Sequence, residues 1–300
     1  MRNPSTSYRR EINCDFFKVD FNGNQQLNLI NLINGILTEN ANISDRNLPT
    51  PDGYIRLHNW QRHGNDGCGV LLRLRTNNTA RVAGITNDVL HDLQLAQNEA
   101  LAEFFCFTYF DEYQILVVHR NRDAGSYNRL SQYLEALSGC RPINFLPIIS
   151  NDALNRLNSM SEVTVAELKI AIPDNLSVYD TGKESVISMI QFAKSTGATT
   201  ITARISMDHS KRPLSIIVKE IWKSLVHNHR TDTKMARVRG RNANDNEIMV
   251  IDLIADRMQE RVVFQQNIQH PSIEDYMNAL QEAYKRHRDE IAQQFGVDPI

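Results

Sequence analysis

The sequence predicts an α+β chain, with mixed and antiparallel sheets, flanking helices, two domains and a C-terminal helix. Three observations carry this prediction. Runs rich in aromatic and β-branched residues alternate along the chain with stretches whose apolar residues recur every three or four positions. Two of the strand-like runs, FFCFTYF (104–110) and YQILVVHR (113–120), meet at Asp111-Glu112 as an antiparallel hairpin would. The 300 residues, at roughly 150 per domain, suit two domains. The polar stretch Ser150–Ser161 between two strand-like runs offers a boundary, giving domains 1–160 and 161–300, and a helical connector fits the same stretch equally well.

In chain order, MRNPSTSYRR is polar with three arginines and reads as a mobile arm. CDFFKVDF (14–21) is a strand, and after Asn22-Gly23 the spacing of Leu27, Ile30, Ile33 and Leu37 predicts a helix over about 25–38. Residues 41–69 are rich in Asn, Pro and Gly around a short strand at 53–60, and GVLLRLRT (69–76) alternates as a strand with one polar face. Thr86 or Asn87 would cap a helix to about Ala102 through Val89, Leu90, Leu93 and Ala96. After the hairpin comes a helix over 126–137, stopped by Gly139, and then an extended INFLPII (143–149).

EVTVAELKIAI (162–172) alternates cleanly and ends at Pro173. A helix at 183–196 carries Val186, Ile187, Ile190 and Phe192, and a strand follows at 199–207. Pro213 opens a helix with Ile217, Ile221 and Leu225 on one side. Strands at 247–255 and 261–266 precede a terminal helix over 272–296, where Ser272 and Asp275 have the spacing of a capping box.

Composition excludes several classes. With 41% hydrophobic and 23% charged residues the chain is neither disordered nor collagenous. Its four cysteines, Cys14, Cys68, Cys106 and Cys140, are far apart with no CxxC pair, and no signal peptide is seen. The expected location is therefore the reducing cytoplasm, with each cysteine a small core residue. The greasiest stretch, LAEFFCFTYF (101–110), contains Glu103 and falls short of the roughly 20 apolar residues of a membrane span, so no membrane insertion is expected.

The formal charge of -2 is an average over an uneven distribution. From His209 to Arg241 there are nine cations, Lys211, Arg212, Lys219, Lys223, Arg230, Lys234, Arg237, Arg239 and Arg241, and two anions, Glu220 and Asp232. That segment carries +7, so the other 267 residues carry -9. Lys219, Lys223 and His227 share one helix face, while Arg237, Arg239 and Arg241, two apart, share one side of an extended segment. Charged rows commonly do no more than solvate a surface. Three arginines in line with only Asp232 near them repel one another, which points instead to an anionic polymer. Duplex DNA bound through its phosphates is the partner such rows suit.

The catalytic signals are sparse. No P-loop, dinucleotide GxGxxG, HExxH or GxSxG motif occurs. Gly64, Gly67 and Gly69 in HGNDGCGV read as turn residues. His58, His63 and Cys68 are too irregularly spaced for a zinc site, and His227 and His229 read as neutral rim histidines. Neither metal nor cofactor is expected. One alternative is a metal-dependent nuclease. Glu167-Leu168-Lys169 has the E-x-K spacing of restriction-type enzymes, and Asp152 is the nearest upstream carboxylate that could share the metal. A third reading is a basic face that meets an acidic protein.

The order of elements resembles the RexA-like phage exclusion family. The resemblance rests on the aromatic hairpin and helix (104–137), FLPII (145–149), VTVAELKIAIPDN (163–175), STGATTITARISMDHSKRPLSIIVKEIWKSL (195–225) and YMNALQEAYKRHRDEIAQQFG (276–296). It implies a DNA-binding protein of anti-phage defence, homodimeric and without a catalytic site, whose partner is a membrane protein. The family's basic strand-to-helix segment corresponds to Lys211, Arg212, Lys219 and Lys223, and the Asn- and Gly-rich stretch at about 40–69 departs from the family.

Overall fold

The computed structural model describes residues 10–21, 27–76, 80–86, 88–125, 127–139, 143–171, 184–207, 214, 233–242, 248–264 and 271–296. The N-terminal arm and the helix expected after Pro213 lie outside them. The α+β class is as the sequence predicts, with mostly antiparallel sheets and a long C-terminal helix.

The chain divides into two compact units, Met1–Phe145 with Gln259–Ile300, and Leu146–Met258. The split expected at 160/161 is therefore misplaced, and the terminal helix belongs with the N-terminal residues. The physical cause is a long-range ladder: β1 (Glu11–Asp20) pairs antiparallel with β14 (Gln259–Val263), Cys14 opposite Glu260. Sequence proximity carries no trace of a pairing across roughly 250 residues. The second unit is an insertion whose ends are tied together, Met258 N–H donating to Ile148 O at 2.7 Å.

The first unit is built on a sheet of order β14-β1-β8-β7-β4-β3-β2. Its other strands are β2 (Leu48–Thr50), β3 (Gly53–His63), β4 (Asp66–Arg75), β7 (Leu101–Phe110) and β8 (Ile115–His119). The expected hairpin is β7–β8, with Phe107 opposite Val118. Both faces of the sheet are covered. Phe17, Leu57, Phe105, Phe107 and Leu116 pack with α1 (Leu29–Glu39) and α2 (Tyr127–Ser138). Asn28 caps α1 through Ile30 N–H, and Gly139 ends α2 at φ +61, a conformation that costs glycine nothing.

The opposite face carries Phe16, Cys106, Phe110 and His119 under the terminal helix α5 (Ile273–Phe295). That helix begins at the expected Ser272–Asp275 capping box and buries Met277, Leu280 and Tyr284. The Tyr284 ring lies flat on Phe110, centroids 3.6 Å apart.

Two local expectations fail here. The described residues of 86–102 form no helix: Leu90–Asp92 is strand β6, paired with β5 (Arg81–Ala83), and β7 starts at Leu101. Val89 and Leu90 are exposed, so the apolar period had no surface to pack on, and pairing of β7 with β4 claimed the end of the segment. Of the three glycines in HGNDGCGV, only Gly64 sits in a turn, at φ +64. Gly67 and Gly69 lie inside β4 beneath Trp60, and a Cβ on Gly67 would come 2.3 Å from that indole. A bulge in β3 between His58 and Gln61, with Asn59 at φ +54, delivers the ring there.

The second unit is a sheet of order β11-β10-β12-β13, formed by β10 (Met160–Ala171), β11 (Thr200–Ser206), β12 (Thr233–Asn242) and β13 (Ile248–Asp252). On one face Val163, Ala166, Leu168, Val238 and Ile251 pack with Ala153 and Leu157 of α3 (Asn151–Ser159), whose N-terminus Ser150 caps. Of the two readings of the polar stretch Ser150–Ser161, the helical one holds: it is α3, which packs on this sheet. In α4 (Glu184–Ser195) Phe192 is 71% exposed, not part of an apolar stripe, whereas Ala193 is buried. Among the described residues no helix is long and apolar enough to cross a membrane.

Candidate nucleic-acid interface

The sequence-predicted basic residues divide by what is described. Lys211, Arg212, Lys219, Lys223 and Arg230 lie outside the described residues, and Lys234 is placed only as a backbone position on β12. Arg237, Arg239 and Arg241 are all exposed on β12, alternating with buried Ala236, Val238 and Gly240. The row expected from the spacing is therefore real. It occupies the face opposite α3, where Arg204 of β11 and Lys169 of β10 are also exposed.

The expectation that this row stands almost free of carboxylates is wrong for Arg237. The antiparallel register sets Arg204, Glu167, Arg237 and Asp252 side by side across all four strands, cation alternating with anion. Arg204 Nη1 is 3.2 Å from Glu167 Oε1, and Arg237 Nε donates to Asp252 Oδ2 at 2.8 Å. The Asp252 carboxylate beside Arg237 holds that guanidinium above its ordinary pKa. Asp252 is itself fixed, since its Oδ1 accepts from Ile254 N–H and Ala255 N–H in the turn after β13. Neighbouring strands, which the sequence order conceals, supply the charges that relieve repulsion along β12.

Further along β12 the pattern changes. Arg239 lies between Val165 and Val250 in the register, and Arg241 between Glu162 and Ile248. Neither guanidinium has an ion pair or side-chain hydrogen bond among the described residues. Their backbone is nevertheless held: Thr164 Oγ1 donates to Arg239 O at 3.1 Å and Ser161 Oγ to Arg241 O at 3.2 Å. Two fixed positions thus carry charge heads without a partner among the described residues.

The nuclease constellation is not assembled. Glu167 and Lys169 stand on the open face, and Glu167 is engaged by Arg204. Asp152 lies in the first turn of α3, on the helix that covers the other face, where it pairs with Arg156 at 3.6 Å. The sheet separates the carboxylates that would share a metal. Among the described residues no group of three or more His, Cys, Asp or Glu side chains could hold one.

The described cysteines are equally unsuited to chemistry. Cys14, Cys68 and Cys106 are buried, and burial pushes the thiols of Cys14 and Cys106 up to about 12. A family described only as of unknown function matches residues 7–291. No curated protein matches the chain.

Proposed function

The chain belongs to DUF6731, a family of unknown function, and from its own residues we propose that it is a non-enzymatic, largely sequence-independent DNA-binding protein. The observation that carries this reading is the pair Arg239 and Arg241, uncommitted on an open sheet face beside Arg204, Arg237 and Lys169. Guanidinium groups on a rigid strand suit phosphate oxygens, which supply affinity without sequence information. The described positions of this face carry no aromatic ring, the group on which single-stranded bases stack, and duplex is accordingly the favoured form. The net -9 of the residues outside 209–241 repels DNA elsewhere and orients this segment toward it.

The resemblance to the RexA-like exclusion family supports a setting in cytoplasmic phage defence. A homodimer would double the phosphate contacts, and a membrane protein would be the effector partner.

The test is fluorescence anisotropy with two unrelated duplexes at about 50 and 200 mM salt. The double variant Arg239→Ala, Arg241→Ala weakens both duplexes alike and flattens the slope of log K against log salt by about 2. Loss confined to one sequence, or binding unchanged in the variant, overturns the reading. Retention of an acidic protein with no DNA affinity would identify a protein-interaction face instead.

A further inference from the structure

The sheet of the second unit ends in two edge strands, β13 and β11, which differ in how they are protected. An edge strand turns a row of backbone N–H and C=O groups outward, and proteins blunt it with Lys, Pro, a bulge or a covering element. β13 is covered: Arg156 of α3 reaches it and donates to Val250 O at 3.1 Å. β11 is longer, TITARIS over Thr200–Ser206, with neither Lys nor Pro and an unbroken register to β10. Among the described residues nothing pairs with its outer side.

The ladder decides which groups face outward. Met207 N–H donates to Thr164 O at 2.8 Å and continues the β10–β11 register by one residue, so the odd-numbered residues turn their backbone toward β10. Thr200, Thr202, Arg204 and Ser206 therefore present theirs outward. Side chains alternate in step. Ile201, Ala203 and Ile205 lie opposite Ile170, Leu168 and Ala166 on the face that α3 covers, and Thr202 and Arg204 lie on the basic face. Ile205, beside the free edge, is 42% exposed.

The occupant that fits this edge is β11 of a second copy. Antiparallel strands place side chains of one face opposite each other, so a two-fold axis between identical strands must pass through a residue. With the axis at Ala203, the midpoint of Thr200–Ser206, the whole strand pairs. Thr200 then faces the partner's Ser206 and Thr202 the partner's Arg204, all with outward backbone groups that can exchange hydrogen bonds. Ile201 meets the partner's Ile205 in the closer positions of the ladder, twice by symmetry, which covers the exposed isoleucine. Neighbouring registers are worse. An axis at Arg204 sets two guanidinium groups opposite each other, and one at Thr202 sets Ile205 against the polar Thr199.

We propose that two copies join edge to edge through β11, about a two-fold axis at Ala203, into one continuous sheet. The axis stands normal to the sheet, so both basic faces come to the same side, with the two β12 rows about five strand spacings, roughly 24 Å, apart. This deepens the proposed function and rests on it for what the joined face binds, Arg239 and Arg241 of both copies serving one duplex. The interface itself is read from β11.

Sedimentation of the full chain without DNA, at about 1 to 100 μM, tests the interface, and a dimer is expected. Thr202→Pro removes an outward N–H and none from the β10 ladder, while Ile205→Lys places a charge where two isoleucines meet. Each acts twice by symmetry and should raise the dimer Kd at least about tenfold, with Tm within a few degrees of the wild type. Where a variant folds poorly, cross-linking settles the matter. Ala203→Cys faces its own copy across the axis and forms a disulfide-linked dimer under mild oxidation, whereas Arg204→Cys, opposite the partner's Thr202, does not. A monomeric wild type overturns the proposal, as does a dimer that survives both substitutions or an Ala203→Cys chain that stays unlinked. None of these measurements contains DNA, so failure here leaves the phosphate reading to the anisotropy of the Arg239, Arg241 variant.

Discussion

Among the described residues the two sheets differ in how many of their faces are covered, and the difference is written in their strands. In the first unit β7 and β8 read as nearly unbroken apolar runs, FFCFTYF and ILVV, because α1 and α2 cover one face and α5 the other. In the second unit KMARVRGR of β12 alternates: its buried residues pack on the face that α3 covers, and Arg237, Arg239 and Arg241 are exposed on the other. A strand that alternates leaves one face for water or a partner. The same fold class therefore yields a closed scaffold in one unit and a charged platform in the other.

The largest expected effect tests the closed sheet. Phe107 is fully buried, stacked beside Trp60 at 6.0 Å between ring centroids and packed beneath the helices of the first core. Phe107→Ala should cost about 3–5 kcal/mol in urea unfolding, transfer and cavity terms together. Arg239→Ala, on the open face, should fall within about 0.5 kcal/mol. Equal costs at the two positions would erase the distinction between scaffold and platform.

A second effect belongs to the closed sheet alone. His119 is buried under α5 against Tyr276, ring centroids 4.6 Å apart, and its Nδ1 has no partner among the described residues. Burial lowers its pKa from 6.5 to about 4. Above pH 6.5 neither folded nor unfolded chain protonates this ring, and it contributes no pH dependence. Between 6.5 and 4 only the unfolded chain takes up the proton, so stability falls as pH drops, by about 3 kcal/mol in total for this group. Below pH 4 the loss levels off. The wild type minus His119→Leu difference in unfolding free energy, measured from pH 7.5 to 4, should show that slope. A flat difference would mean that water reaches the ring.

Strands, α1, α2 and the Ser272–Asp275 start of α5 were legible because their causes are local: apolar period, caps and Gly139. The insertion was not, because the β1–β14 ladder joins residues far apart in the chain. Residues 86–102 carry a helical period, yet period alone forms no helix when no core faces it. At the interface, the Arg237, Arg239, Arg241 row was legible from its period of two. The partner carboxylates, Glu167 and Asp252, come from other strands and depend on register, and the E-x-K spacing on β10 pointed to a metal that the fold does not assemble.

The smallest expected effect on stability is also the sharpest test of the platform. Glu167 stands between Arg204 and Arg237 in the charge row, and all three side chains are at least partly exposed. An exposed pair of this kind contributes about 0–1 kcal/mol, so Glu167→Gln should hardly move the unfolding curve. If the face binds DNA as proposed, the carboxylate competes with phosphate for the guanidinium that it holds, as it does that of Arg204. Its neutralisation should tighten DNA binding and steepen the salt slope by about 1, the opposite sign to the loss of Arg239 and Arg241. Tighter binding at unchanged stability would identify the open face as the DNA contact and Glu167 as its brake. Weaker binding would instead show that Glu167 aligns the arginines, and the interface would then reside in the ordered ladder rather than in the uncommitted pair.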